Sequence, residues 1–345
     1  MGLMGALSVE HAGRWLKRRF ARRALILMYH RVTELANDPY LLAVTPDHFA
    51  QHMELIRRYA LPTRLGQLLK AMETGSVPHR TIVITLDDGY ADNAHEAKPI
   101  LERFEIPATV FVVAGQVGGT SEFWWDELDR LLLQPGTLPP DLRLQLNGTV
   151  EEWELGPASR YSETDYRHHR GWHVERPDDP TTRHRLFRAL FDHLYRSSHG
   201  DKQRILQQVR TWAGAERVAR PTHRPLTRNE TVLLSQGGLV EIGAHTMSHP
   251  TLTALPPAEQ RDEIQQSKDC LEHMLEQPVV SFAYPHGATS PATADIVSDA
   301  GFQLACCSHP DALFRGADRF QLPRLGIRDW DRDTFARWLR WWIGR

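Results

Sequence analysis

Seven stretches of the chain, 24–29, 81–86, 108–113, 239–243, 279–284, 302–307 and 320–327, are dominated by apolar residues at neighbouring positions. A strand with one wet face alternates apolar and polar residues. Runs without that alternation predict strands buried on both faces, as in a parallel sheet. Between the second and third runs Ala94, Ala97, Ile100, Leu101 and Phe104 share one helical face and Pro107 ends the return loop, which makes a strand–helix–strand unit. A second helix is predicted over 258–276, with Ile264, Leu271, Met274 and Leu275 as its stripe, Pro256-Pro257 in its first turn and Pro278 as its stop. The fold class that follows is α/β, a barrel or wound sheet of parallel strands.

From about 133 to 228 this strand rhythm disappears and Asp, Glu, Arg, His and Pro dominate. Leu186, Leu190, Phe191 and Leu194 recur with helical spacing, so helices are predicted over 180–197 and 201–213. The stretch reads as a largely helical insertion into one domain spanning 24–345, preceded by a basic amphipathic segment over 1–23.

A net charge of −2 with interspersed signs offers no basic field for a nucleic-acid backbone, so nucleic acid is not expected as a partner. Three cysteines, Cys270, Cys306 and Cys307, cannot build a disulfide framework and read as reduced thiols. No stretch reaches the roughly 20 apolar residues that span a bilayer. The charges from Arg14 to Arg23 follow the apolar residues of the N-terminus, the wrong order for a secretory signal, so a cytoplasmic protein is expected. Trp15, Leu16 and Phe20 at one end, and Phe335, Trp338, Leu339, Trp341, Trp342 and Ile343 at the other, leave peripheral membrane contact open, although a terminal helix packed on its own domain is the commoner arrangement.

Three constellations carry chemistry. In Thr85-Leu86-Asp87-Asp88-Gly89-Tyr90 a buried strand ends in two carboxylates, which repel each other and lose solvation unless a cation or proton holds them. Alone, such a motif more often caps a helix. In His245-Thr246-Met247-Ser248-His249-Pro250 two imidazoles four positions apart follow another apolar run and could converge on one ion with a carboxylate. In Ser281-Phe282-Ala283-Tyr284-Pro285-His286-Gly287 a strand stops at a sharp turn that could aim backbone N–H groups at a reacting oxygen, or simply lead into a helix.

In this order the three constellations resemble the motifs of the NodB-homology polysaccharide deacetylases, carbohydrate esterase family 4: Thr-Phe-Asp-Asp-Gly, His-(Ser/Thr)-x-x-His and a Pro-Tyr-Gly turn. The resemblance covers about 25–118 and 226–329 and leaves the insertion outside; Phe123-Trp124-Trp125-Asp126-Glu127-Leu128 also resembles a feature of a bacterial subgroup. It implies a distorted (β/α) barrel of about seven parallel strands with its site at the C-terminal strand ends. It further implies one divalent metal, zinc by the family's habit, on Asp88, His245 and His249; Asp87 as general base; and substrate contacts from Tyr284, Pro285 and His286. The implied reaction is hydrolysis of an N-acetyl or other N-acyl group from an amino sugar in a glycan or glycoconjugate.

Departures from the family's pattern are Leu86 for Phe, His286 for an aromatic residue, no arginine ahead of the third motif, and no late Leu-x-His to supply the general acid. Relatives with Met-Tyr-His-x-Val and Phe-Ala-Tyr-Pro-x-Gly tend to lack that late histidine as well, so His30, at the end of the first run, is the preferred acid and His309 the alternative. Two rivals stand beside this reading: an amidase acting on a non-peptide C–N bond of a small molecule, and a non-catalytic glycan-binding barrel.

Overall fold

The computed structural model describes residues 24–344 apart from 147 and 315, so the basic segment over 1–23 lies outside the described residues. All seven predicted runs contain strands of one sheet: β1 (Ala24–Tyr29), β2 (Thr81–Leu86), β3 (Ala108–Val112), β4 (Val240–Ala244), β5 (Ser281–Ala283), β6 (Leu304–Cys306) and β7 (Leu325–Gly326). Their order is β6-β5-β4-β3-β2-β1-β7, every neighbouring pair parallel, with a short strand Leu61–Pro62 beside the start of β2. The two edges are brought together by the segment entering β7. Leu322 N–H donates to Ala305 O and Cys307 N–H to Leu322 O, each at 2.9 Å, so the chain that runs on into β7 also borders β6 and closes a distorted barrel.

Every residue of β2 and β3 is buried, as continuous apolar runs require. Side chains alternate between two clusters: Ile26, Val83, Phe111, Leu304 and Cys306 in one, Leu25, Leu27, Ile82, Ile84 and Val110 in the other with the surrounding helices. The predicted helix after β2 opens with a π-helical turn, Asn93–Ala97, before the α-helix Lys98–Phe104.

The central insertion holds two helices close to their predicted places, α2 (Thr182–Arg196) and α3 (His199–Ala213), packed beside α1 (Trp124–Leu132). It departs from the largely helical expectation by an antiparallel hairpin, Asp141–Leu146 with Thr149–Glu154. The signal was present: Leu142, Leu144 and Leu146 alternate with exposed polar residues and precede Asn147-Gly148, a hairpin dipeptide. Those leucines pack with Leu186, Phe187, Leu190, Ile205, Leu206 and Val209, and with Tyr90 and Val113 of the barrel, so insertion and barrel share a core. Buried Arg183 binds five backbone carbonyls of the insertion and its border, those of Leu132, Gln134, Gly136, Ala158 and Ser159.

After the predicted helix α4 (Pro257–Leu275), the last helix, α5 (Arg332–Ile343), buries Phe335, Leu339 and Ile343 against the main core and leaves Trp341 exposed. No described helix is long and apolar enough to cross a membrane. The three cysteines are free.

Candidate active site

The motif residues gather because they leave the C-terminal ends of neighbouring strands. Asp87 and Asp88 follow β2, His245 follows β4, the Tyr284–Gly287 turn follows β5 and His30 follows β1. Both aspartates are 3% exposed, His245 1% and His249 6%. The backbone turns sharply to bring them there. Of eight described non-glycine residues with positive φ, four fall in the motifs: Asp88 at 72°, Thr246 at 65°, His249 at 57° and His286 at 59°. Such conformations cost free energy and persist where surrounding structure over-determines them. The third turn also needs Gly287, with φ of 68°, because a Cβ there would stand 2.5 Å from the Ser308 side chain.

Asp88, His245 and His249 converge on one point. Nε2 of His249 lies 3.3 Å and Nε2 of His245 3.6 Å from Oδ1 of Asp88. The Nδ1 atom of His245 is 2.7 Å from Ala283 O; as donor there it leaves Nε2 as a bare lone pair facing the carboxylate. His249 is held neutral, since burial and then His245 and Lys202 lower its pKa well below the usual value. Burial raises the Asp88 carboxyl, with Asp87 adding to the effect. Lone pairs aimed at a buried carboxylate are what a divalent cation would stabilise. Ligands about 2.0–2.1 Å from a tetrahedral ion stand about 3.3–3.4 Å apart, so the donor set fits one.

Asp87 is turned to a different partner. Arg324 donates from Nη1 to Oδ1 at 2.6 Å and from Nη2 to Oδ2 at 2.7 Å. The guanidinium is itself buried and anchored, Nε on Cys307 O at 3.0 Å and Nη1 on Thr85 Oγ1 at 3.2 Å. Burial alone would raise the Asp87 carboxyl; the charge of Arg324 outweighs it, helped by His245, and holds it at about 2. The arginine absent ahead of the third motif is thus matched by one arriving just before β7.

His30 has Asp88 and Asp87 as its leading electrostatic neighbours; burial lowers its pKa and those carboxylates oppose the effect. Its carbonyl accepts from Asn93 Nδ2 at 2.9 Å, in the π-helical turn, which fixes the end of β1. His309 is exposed, and its carbonyl accepts from the Arg324 N–H at 3.1 Å.

The sequence profile of the polysaccharide deacetylase family matches residues 74–136 and 212–305, two blocks that leave out most of the insertion and hold all three motifs. Over those two blocks the chain is similar to the polysaccharide deacetylases. The polysaccharide deacetylase YxkH of Bacillus subtilis (strain 168) is 19% identical over 315 residues, 91% of this chain and 74% of that one. A poly-beta-1,6-N-acetyl-D-glucosamine N-deacetylase of Staphylococcus epidermidis is 30% identical over 111 residues, 28% of this chain and 38% of that relative. Among solved structures, the Streptococcus pyogenes deacetylase PplD in complex with acetate superimposes with a TM-score of 0.56 at 18% identity, covering 92% of this chain and 98% of that one. IcaB from Ammonifex degensii gives 0.57 at 16% identity, covering 94% and 98%. Both share the fold.

The third motif is placed less simply than expected. Tyr284 was expected to face substrate, but it is fully buried in the core and its hydroxyl donates to Phe320 O at 2.9 Å, so it props the wall of the site from behind. Pro285 is buried too. His286 does face the cluster, its ring 4.6 Å from that of His249, and its Nε2 is buried with no hydrogen-bond partner among the described residues.

Two residues that sequence reasoning left unplaced complete the enclosure of this site. Tyr195, near the end of α2, lies 4.3 Å from the His286 ring, and Trp125 of α1 lies 4.8 Å from His249. Trp125 is fixed by stacking on Phe123 at 4.9 Å and by donating Nε1 to Tyr90 Oη at 2.7 Å, whose hydroxyl in turn donates to Asp126 at 2.6 Å. Burial raises Asp126 to about 7 despite Arg31. The Phe123–Leu128 motif is therefore the joint at which the insertion meets the His245–His249 loop.

Proposed function

We propose that this chain hydrolyses the N-acetyl group of an amino sugar in a polysaccharide or glycoconjugate, with one zinc ion held by Asp88, His245 and His249. One observation carries the reading: three bare ligand atoms converge beside a second carboxylate, Asp87, that is locked ionised by Arg324. Similarity to the polysaccharide deacetylases supplies the reaction class, and the Staphylococcus epidermidis relative, a poly-beta-1,6-N-acetyl-D-glucosamine N-deacetylase, supplies the candidate sugar.

A divalent cation at this site would polarise the acyl carbonyl and make a bound water more acidic. Asp87 takes the proton of the attacking water, and Arg324 keeps both its oxygens oriented while leaving each a further lone pair. His30, which has the carboxylate pair as its electrostatic neighbours, passes a proton to the departing amine nitrogen, without which the amine would leave as an anion. Trp125, Tyr195 and His286 exclude bulk water, which strengthens each of these charge interactions.

Such an enclosed site also suits a small amide. The two substrates are separated by measuring acetate released by the purified, zinc-loaded chain from β-1,6-linked and β-1,4-linked N-acetylglucosamine oligomers and from acetanilide. Turnover of the sugars at least about tenfold above acetanilide supports the proposal. Turnover of acetanilide alone, or of nothing, contradicts it.

A further inference from the structure

Beside His249 a pocket opens between the barrel and the insertion, lined by Gln116, Ser121, Trp124, Lys202, Arg217 and Ser248 among others. Its charge is unbalanced. Lys202 is 2% exposed; its ammonium lies 5.2 Å from the ring of Trp124 and makes a long contact of 3.5 Å to His249 O, and Glu263 acts on it through charge without an ion pair among the described residues. Arg217 places Nε on Ser121 Oγ at 3.0 Å, and among the described residues neither cation is ion-paired.

The carboxylates that share the pocket are committed elsewhere. Glu122 receives Nε and Nη2 of Arg220, both at 2.9 Å, and Glu127 receives Nη1 of Arg210 at 2.8 Å and Nη2 of Arg130 at 3.3 Å. Glu263, nearby on α4, accepts the N–H groups of Met247 and Ser248 and the Ser248 hydroxyl. His199, also lining the pocket, has its pKa lowered first by burial; Glu263 opposes that effect and the charges of Lys202 and Arg217 add to it. A buried ammonium is costly unless something neutralises it, and this pocket holds no free carboxylate for the task.

We propose that the pocket is a subsite for an anionic group, phosphate or carboxylate, carried by the substrate whose acyl group is cleaved at the neighbouring site. The proposal rests on the deacetylase reading and narrows its substrate to an acidic amino-sugar compound. Lys202 is the buried anchor, Arg217 the outer cation, and Trp124 bounds the pocket against the insertion.

Two measurements on the whole zinc-loaded chain test this. Calorimetry compares binding of N-acetylglucosamine 1-phosphate, an N-acetylglucosamine–glucuronic acid disaccharide and the neutral methyl glycoside of N-acetylglucosamine. At least one acidic sugar should bind about tenfold or more tighter than the neutral one, as charge-assisted hydrogen bonds to a buried ammonium allow, and which one does so identifies the anion. Lys202→Gln and, independently of any folding defect there, the exposed Arg217→Gln should each erode that preference, through KM more than kcat when acetate release is followed. Equal binding of acidic and neutral sugars, or a preference that survives in both variants, overturns the subsite. Absence of acetate release from every sugar would instead overturn the deacetylase reading, while the calorimetry still judges the subsite.

Discussion

Arg324 holds both carboxylate oxygens of Asp87, at 2.6 and 2.7 Å, from a position 237 residues away in the chain. The pair is buried, so neither member can be removed singly without stranding a charge. Truncating one partner of a buried ion pair typically costs about 3–5 kcal/mol, whereas replacing both is far milder. Arg324→Met should therefore be strongly destabilised in urea unfolding, and Asp87→Asn/Arg324→Met should recover much of that loss while remaining inactive. A stable, active Arg324→Met would remove the pair from the account.

Asp87→Asn by itself keeps the shape of the side chain, loses the ability to accept a proton and leaves Arg324 without its counter-charge, so its fold is checked by urea unfolding before it is assayed. It should retain zinc and lose about 10²–10⁴-fold in acetate release, the usual cost of a missing general base. Near-normal turnover with full metal would place the base elsewhere.

His30 lies with the carboxylate pair and His309 lies exposed. If His30 protonates the leaving amine, His30→Ala should retain zinc, lose most turnover of an N-acetyl sugar, and lose much less on an activated aryl acetate, whose leaving group needs little protonation. Equal losses on the two substrates, or a larger amide-selective loss in His309→Ala, would contradict the assignment.

Outside the three motifs, His52 is fully buried between the Tyr29 hydroxyl, Trp330 O and the stacked ring of Phe335, and burial lowers its pKa to about 4. The folded state thus stays neutral there while an unfolded chain takes up a proton below about 6.5. Its contribution is fully present above that pH and is lost as pH falls from about 6.5 towards 4, at up to about 1.4 kcal/mol per pH unit. In urea titrations across this window His52→Gln should show a shallower decline of stability than the parent. An identical slope would mean that His52 does not govern it.

Much of this molecule was legible because its chemistry is local in sequence. Each motif sits at the end of an apolar run, and strand ends are where a parallel barrel collects its groups, so the Asp87-Asp88 pair and the two histidines could be joined in one site, while the choice of Asp88, His245 and His249 as ligands came from the family resemblance. Arg324 was missed for the opposite reason. Its strand is two residues long, its contact is remote in sequence, and a search for an arginine ahead of Ser281–Gly287 looks at the wrong strand. Tyr195 and Lys202 were hidden by the insertion, whose polar helices give no sign of which side chains turn toward the barrel. Tyr284 misled because an aromatic residue at a strand end reads equally as wall or as substrate contact, and only the bond of its hydroxyl to Phe320 O distinguishes them.

The central claim is that Asp88, His245 and His249 hold one cation on which deacetylation depends. Its most direct test is acetate release from an N-acetylglucosamine oligomer by the whole chain, first stripped by chelator and then given zinc, with bound metal measured alongside. Activity should vanish on stripping and return as one zinc per chain is restored, and His249→Ala should recover neither metal nor activity. Undiminished acetate release from the stripped chain, or full zinc occupancy in His249→Ala, would contradict it.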